Sequence, residues 1–207
     1  MTMNGNSPLR RSTRATLLVA GLLSATLLGG CVRFGAKPPA SLLTVESNAR
    51  VAPGTVAAAD KGVVTIIEPD VPKALSTVRV AVRTGDTSFA YVPKAYWVDT
   101  PRNLFRAVVA ETVASRNSVL VLDGGQFSAA PGKRLTGDLV EFGIDARARQ
   151  AVVTYDATLV GSGGVLSKRR FTATAPVRDI DSNGVAPAIG VAANGVAVQV
   201  ADWLKTL

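Results

Sequence analysis

Histidine is absent from this 207-residue chain, and cysteine occurs once. Without histidine, Ser-His-Asp and Cys-His catalytic groups and the usual zinc sites are excluded. A single cysteine cannot form an intramolecular disulfide, so packing must stabilise the fold. Only 5 % of residues are aromatic although 47 % are hydrophobic, which predicts a core made mainly of valine, alanine and leucine.

Motifs for nucleotide or acyl chemistry are also missing. No Walker A loop or dinucleotide fingerprint occurs. Residues 161–164, Gly-Ser-Gly-Gly, lack the G-x-S-x-G spacing of a nucleophile elbow and predict a hairpin turn. Asp138 and Glu141 are two neighbouring carboxylates, but one solvated strand face explains them better than acid–base catalysis. We therefore expect no enzyme, no cofactor and no metal; a periplasmic hydrolase, the enzymatic alternative, would need a reactive serine.

The cysteine lies in the most informative segment of the chain. Arg10, Arg11 and Arg14 precede fourteen uncharged residues at 15–28, and Leu-Gly-Gly leads into Cys31. A basic start, a short apolar run and small residues before a cleavage point are typical of a secretory signal peptide. At about 1.5 Å per residue the run spans roughly 21 Å, too short for the ~30 Å hydrocarbon core. The pattern resembles a bacterial lipobox, which predicts a lipidated Cys31.

The predicted organisation is a signal peptide at 1–30, the lipidated cysteine with a tether at 31–40, and one domain at 41–207. More than one acyl chain is needed for stable anchoring, and a triacylated (palmitate-type) cysteine meets that condition. Val32 stands where an aspartate usually signals inner-membrane retention in bacterial lipoproteins. We therefore expect an outer-membrane anchor facing the periplasm. Without the leader the net charge falls from +8 to +5, and nucleic acid is not an expected partner.

The first half of the domain alternates strands with a helix. Short β-branched runs predict strands at 41–45, 63–67, 78–83 and 88–92, and another at 118–122. Thr100 and Pro101 predict the start of a helix, with threonine as its cap. Apolar residues then recur at helical spacing up to Val113.

The second half predicts a three-stranded antiparallel meander and a closing helix. Extended runs at 135–144, 151–160 and 165–176 are separated by short turns. A helical stripe follows from about residue 185 to 207, although its glycines weaken the prediction. The fold class predicted is α/β: a single domain with one mixed, largely antiparallel sheet packed by two main helices.

The densest basic cluster is Lys168, Arg169 and Arg170, within the last of these strands. Basic residues keep an edge strand soluble and unpaired, which is the simplest interpretation. Contact with anionic lipid headgroups or an acidic partner is the alternative.

A family resemblance emerges from the aromatic segment Tyr91-Val-Pro-Lys-Ala-Tyr-Trp-Val-Asp-Thr-Pro and the helix that follows it. A tyrosine that ends a strand, then a tryptophan and a proline-led helix, resembles the ABC-type transport auxiliary lipoproteins, of the paraquat-inducible protein C type. The similarity continues through residues 135–142, 151–159 and 168–171 to the closing helix, and the family also carries a lipobox.

The resemblance implies a non-catalytic auxiliary component of an MCE-type ABC lipid transport system. It would dock the MCE-domain protein that works with the ABC permease and ATPase. Docking would take place at a membrane surface, with phospholipid as the cargo of the system. A homo-oligomer is compatible with this role. Tyr91, Tyr96 and Trp97 match the family's aromatic motif, which either packs the helix against the sheet or forms a docking surface. The alternative function is an envelope-assembly scaffold that binds protein partners without handling lipid.

Overall fold

The computed structural model describes residues 41–54, 62–125 and 132–206, which lie in one compact unit, Pro39–Leu207. Its elements in chain order are β1 (Val63–Ile66), β2 (Arg79–Arg83), β3 (Phe89–Tyr96), α1 (Pro101–Asn117), β4 (Leu120–Asp123), β5 (Lys133–Asp145), β6 (Gln150–Val160), β7 (Leu166–Pro176) and α2 (Val185–Lys205). These bounds confirm both predicted helices and the predicted meander.

Strand β5 organises a seven-stranded mixed sheet because each of its edges is used differently. One edge pairs along its length with β6, which pairs in turn with β7, and both pairings are antiparallel. The other edge is shared by two shorter parallel partners, β1 near the start of β5 and β2 near its end. Strand β4 extends the sheet beyond β1, and β3 extends it beyond β2. The predicted α/β class with one mixed sheet and two helices is confirmed.

The long antiparallel pairing of β5 and β6 depends on a close backbone approach at Gly137. Its φ is +144°, and a Cβ at this position would lie only 1.9 Å from the carbonyl oxygen of Asp156. Glycine alone combines that conformation with that proximity. The register then shifts between Leu139 and Glu141, which places a β-bulge in the middle of β5.

Both helices pack on the same face of the sheet, where the core lies. The apolar stripe of α1 is buried, including Phe105, which contacts Phe142 of β5 and Tyr155 of β6 edge-on. Helix α2 is long and apolar enough to cross a membrane by length and composition, but its buried residues belong to the domain core. Gly195 allows α2 to lie close to β7, since a Cβ there would be 3.0 Å from that of Ala173.

Three local predictions differ from the structure. The segment 41–45 is not a strand, because only Leu43 forms a single bridge, with Trp97. Strand β3 continues beyond the predicted end at residue 92 to Tyr96. Thr100 occupies the predicted N-cap position of α1, but its side chain makes no capping hydrogen bond. The carboxylate of Asp99 accepts hydrogen bonds from the Thr100 N–H and the Asn103 side chain instead, and these bonds lower the pKa of Asp99.

Candidate functional site

The face of the sheet opposite the helices is open and lined by polar side chains. Thr154 of β6 donates a hydrogen bond of 2.7 Å to Glu141 of β5 and bonds the hydroxyl of Thr172 of β7 at 3.2 Å. Glu141 also forms an ion pair with Arg83 of β2. The carboxylate is therefore already engaged by a cation and a hydroxyl, which agrees with the predicted solvated strand face.

The other acidic side chains of this face are paired with basic ones. Asp138 pairs with Lys168 at 3.8 Å, and Asp156 accepts two hydrogen bonds from Arg170. The hydrogen bond from Arg170 lowers the pKa of Asp156, so this carboxylate is charged at neutral pH and cannot supply a proton. In residues 41–54, 62–125 and 132–206, no group of three acidic or thiol side chains could hold a metal ion.

An apolar cavity of about 270 Å³ opens on this face, beside the bulge in β5. Its walls include the side chains of Leu75, Phe89, Val140 and Val152, with Arg83 at its edge. Phe89 is 61 % exposed. Ligand pockets usually measure about 300–1,000 Å³, so this cavity suits one small apolar group.

The aromatic segment divides between core and surface. Trp97 is 1 % exposed and its ring contacts Phe142 edge-on at 5.7 Å, so it packs in the core. Tyr91 is half-buried under the Arg79 guanidinium, 4.1 Å from the ring centroid, and donates a hydrogen bond to the carbonyl oxygen of Ala74. Tyr96 is also half-buried. Of the three aromatic residues, the two tyrosines are therefore the ones accessible to a partner, whereas Trp97 belongs to the core.

Strand β3 contains a bulge that leaves Pro93 and Lys94 exposed. Arg79 pairs with Tyr96 and Ala81 with Tyr91, so the β3 side carries three more residues than the β2 side between these pairs. Pro93 lies inside this bulge, where its missing N–H costs no sheet hydrogen bond. Lys94 has a φ of +59°, which is rare for a residue with a side chain.

A small apolar patch lies beside the bulge. Leu43 and Trp97 form a parallel bridge and both face inward, so their neighbours Leu42, Tyr96 and Val98 face outward. Leu42 is 52 % exposed and Val98 56 %. We call Leu42, Tyr96 and Val98 the edge patch. The sequence analysis missed Leu42 and Val98, since only the bridge between Leu43 and Trp97 reveals their position. The signal available in the sequence for the bulge was Pro93 inside a strand-like run.

The basic cluster is exposed and spread over both sides of β7. Lys168 and Arg170 lie on the open face with Asp138 and Asp156, as described above. Arg169 points to the other side, with its guanidinium 5.3 Å from the Phe171 ring centroid. The three cations therefore do not converge on one point, and Arg169 forms no ion pair within the described parts of the chain.

A buried asparagine attaches the segment before β1 to the helices, and sequence reasoning missed it. Asn194 of α2 is 7 % exposed; it accepts a hydrogen bond from the Asn48 N–H and donates to the carbonyl oxygens of Glu46 and Gly190. Ser47 bonds Thr112 of α1 at 3.0 Å. An asparagine within an otherwise apolar helical face was the available signal. Cys31, the predicted lipidation site, lies outside the described residues.

A comparison with protein-family models assigns the chain to a family. A family model described as "ABC-type transport auxiliary lipoprotein component" matches residues 43–201. A search of curated proteins returned no match.

Solved structures share the fold at low sequence identity. Protein XCC0632 from Xanthomonas campestris, described as a DUF330 protein, superposes with a TM-score of 0.62 at 17 % identity, covering 79 % of this chain and 93 % of that one. A protein described as uncharacterized gives a TM-score of 0.59 at 16 % identity, covering 70 % of this chain and 92 % of its own. At these identities the likeness concerns the fold alone.

Proposed function

Because the chain belongs to the ABC-type transport auxiliary lipoprotein component family, we propose that it is a non-catalytic lipoprotein that docks the MCE-domain protein of an ABC-type phospholipid transport system. The observation that carries this proposal is the extent of the family match, which spans residues 43–201 and so includes both helices almost completely and all seven strands. Family membership itself assigns the chain to an ABC-type transport system and to a membrane-anchored place in the cell envelope.

The proposed anchor is the acylated Cys31, in the outer membrane and facing the periplasm. Support comes from the leader pattern before Cys31 and from Val32 after it, where an inner-membrane retention signal would place aspartate. The domain begins ten residues after the cysteine, at Ser41, so an extended tether reaches roughly 30 Å. That reach lets the domain meet a partner above the bilayer surface.

The proposed docking surface is the edge patch with Tyr91 beside it. Its exposed aliphatic side chains lie on the same outward side as a half-buried tyrosine, on backbone whose inward residue Trp97 is buried in the core, and an apolar surface with an aromatic member suits protein binding. Pro93 and Lys94, the exposed residues of the bulge in β3, extend this surface. Binding here requires no bond to be made or broken, in keeping with the engaged carboxylates of the open face.

The size of the apolar cavity supports a positioning role over a carrying role. A cavity of about 270 Å³ is at or below the small end of ligand pockets, and a phospholipid with two acyl chains is larger than the ligands such pockets enclose. We therefore propose that the phospholipid passes through the partner while this domain holds the partner in place.

The test is affinity purification of the tagged full-length lipoprotein from gently solubilised envelopes, with mass spectrometry of the eluate. We expect a stoichiometric MCE-domain protein with its ABC permease and ATPase. The double variant Leu42→Asp/Val98→Asp should reduce recovery at least tenfold, because two charges would enter the apolar contact.

The matched control is Val191→Asp, which places a charge at a valine 60 % exposed on α2, away from the edge patch. Its recovery of the partner should equal that of the wild type. Cys31→Ala should remove the protein from the membrane fraction, which separates anchoring from docking. Recovery of envelope-assembly proteins without an MCE-domain protein would replace the transport proposal with the scaffold alternative.

A further inference from the structure

The hairpin between β6 and β7 ends in exposed aliphatic side chains. Val165 is 68 % exposed and Leu166 69 %, the two most exposed large hydrophobic residues in the described chain. The turn before them, Ser162–Gly164, is a short 3₁₀ turn without charged residues. Exposed aliphatic side chains at the tip of a rigid hairpin are costly to leave in water, so they point to an apolar or interfacial environment.

Basic residues gather at this same end of the sheet through the strand register. Arg134 of β5 pairs with Val160 of β6, and Val160 pairs with Leu166 of β7. Lys133 precedes Arg134, while Lys168 lies two residues beyond Leu166. The sheet thus joins basic residues from two distant stretches of sequence beside one aliphatic tip. We call Lys133, Arg134, Val165, Leu166, Lys168 and Arg169 the hairpin end.

Acidic residues near the hairpin end are set back from the tip and already paired. Asp138 and Asp156 lie in the row that includes Arg170, and they pair with Lys168 and Arg170.

On the helix side, Trp203 contacts Phe171 and brings the end of α2 close to the hairpin end. Asp202 is the acidic residue there, and it pairs with Arg116 at 2.9 Å and Lys205 at 3.5 Å. Asp123 of β4, in the row of Leu135, pairs with Arg106, so each of these acidic residues already faces a cation.

We propose that the hairpin end contacts the anionic headgroup surface of a phospholipid bilayer. Leu166 and Lys168 are two residues apart on one strand, about 6.6 Å at roughly 3.3 Å per residue. Apolar groups of interfacial segments are buried about 5–10 Å below the headgroup level, so aliphatic insertion leaves the cations beside the phosphates. An acidic protein surface would bind the cations but would give no reason for the aliphatic tip.

This proposal rests on the proposed function in one respect: it assumes the lipidated tether that keeps the domain near a membrane. A tethered domain needs little affinity of its own, since the anchor provides a high local concentration of lipid. The contact would fix which way the edge patch faces. It requires no MCE-domain protein, so the two proposals can fail separately.

The first measurement is vesicle co-sedimentation of residues 32–207, which carry no acyl chain and contain the compact unit Pro39–Leu207 with the whole described core. Vesicles of phosphatidylethanolamine and phosphatidylglycerol at 3:1 should bind the protein, and vesicles of phosphatidylcholine should not. Each cation near an anionic surface strengthens binding about fivefold. Lys168→Gln/Arg169→Gln should therefore weaken binding by roughly 25-fold, and 0.5 M NaCl should weaken it strongly.

The matched control is Lys73→Gln/Arg178→Gln, which removes two exposed cations elsewhere and lowers the net charge equally. Its binding should change by less than about threefold. The proposal would be overturned if the wild-type protein did not bind the anionic vesicles. It would also be overturned if the control variant lost as much binding as the test variant. If the tagged lipoprotein still recovered the MCE-domain protein from envelopes in that case, the proposed docking function would remain supported.

The second measurement reports on orientation. The native Trp97 and Trp203 are 1 % and 8 % exposed, so their fluorescence is insensitive to added vesicles. A tryptophan introduced by Leu166→Trp should be quenched by brominated lipid, whereas one introduced by Phe89→Trp, at a residue 61 % exposed beside the apolar cavity, should not. Equal quenching of the two would refute contact through the hairpin end.

Discussion

The two faces of the sheet are made by the same strands but are stabilised by different interactions. On the helix-covered face, Phe142 contacts the rings of Trp97 and Phe105 and is 1 % exposed. On the open face, one residue earlier in β5, Glu141 is held by Arg83 and Thr154. Burial of apolar surface should therefore determine stability on the covered face, and the partly solvated polar network should contribute less. The open face is thereby left available for binding.

The largest expected effect is on the covered face. Phe142→Ala should lower the free energy of unfolding by about 3–5 kcal/mol, since a buried aromatic ring and its contacts with Trp97 and Phe105 are lost. Chemical denaturation monitored by circular dichroism measures this. The half-buried Val140 on the open face is the control, and Val140→Ala should cost clearly less. Equal losses at the two positions would show that the faces do not differ as described.

The second largest effect is expected at a buried polar residue on the helix side, because burial rather than polarity should determine the loss of stability. Asn194→Ala removes the side-chain bonds to Asn48, Glu46 and Gly190; the Asn48 N–H and the Glu46 carbonyl lose this partner, whereas the Gly190 carbonyl keeps its helical hydrogen bond. We expect a loss of roughly 1–3 kcal/mol and faster amide exchange at residues 46–51. Unchanged exchange there would refute the attachment.

A smaller effect is expected from the polar network of the open face. Glu141→Gln keeps the shape of the side chain and a hydrogen-bond acceptor for Thr154, but removes the charge facing Arg83. We expect a loss of at most about 1 kcal/mol, because the pair is partly solvated. Thermal unfolding at low and high salt would measure it. A loss as large as that of Phe142→Ala would break the comparison.

The smallest effect depends on pH. Asp156 has a lowered pKa because of Arg170, so its charged form stabilises the fold above the usual pKa of about 4, and this contribution is lost as pH falls through the folded value. Asp156→Asn should be slightly less stable than wild type at pH 6, and the difference should shrink in strong acid, at about pH 2, where the carboxyl group becomes protonated in the folded state as well. Denaturant titrations at both pH values test this; a difference that grows in acid would contradict it.

Local signals in the sequence were enough to predict the helices, the meander and the mixed sheet. Pro101 and an apolar stripe define α1, and the glycine-rich turn at 161–164 separates two extended runs. Strands β1 and β2 each pair in parallel with the same edge of β5. These pairings depend on contacts between residues far apart in the chain, which hydrophobic periodicity does not predict. The segment 41–45 has strand-like composition yet forms one bridge, because it leaves the sheet toward Asn194.

The candidate site was predictable only in part, for a similar reason. The aromatic segment and the basic cluster stand out in the sequence, but which of their side chains are exposed depends on partners far along the chain. Trp97 is buried because Phe142 lies beneath it, and Leu42 joins the edge patch only through the bridge at Leu43. Alternation could not reveal either, since the bulge at Pro93 interrupts it.

The attachment of residues 41–51 has a mechanical consequence. A pulling force that enters the domain at Ser41 first loads the single bridge between Leu43 and Trp97. Behind it, the bonds of Asn194 and the hydrogen bond from the Val51 N–H to Glu111 form a second attachment, on the two helices. If the bridge opens, the attachment to the helices still holds the segment, so the strands that support the edge patch are not the only elements that resist the pull.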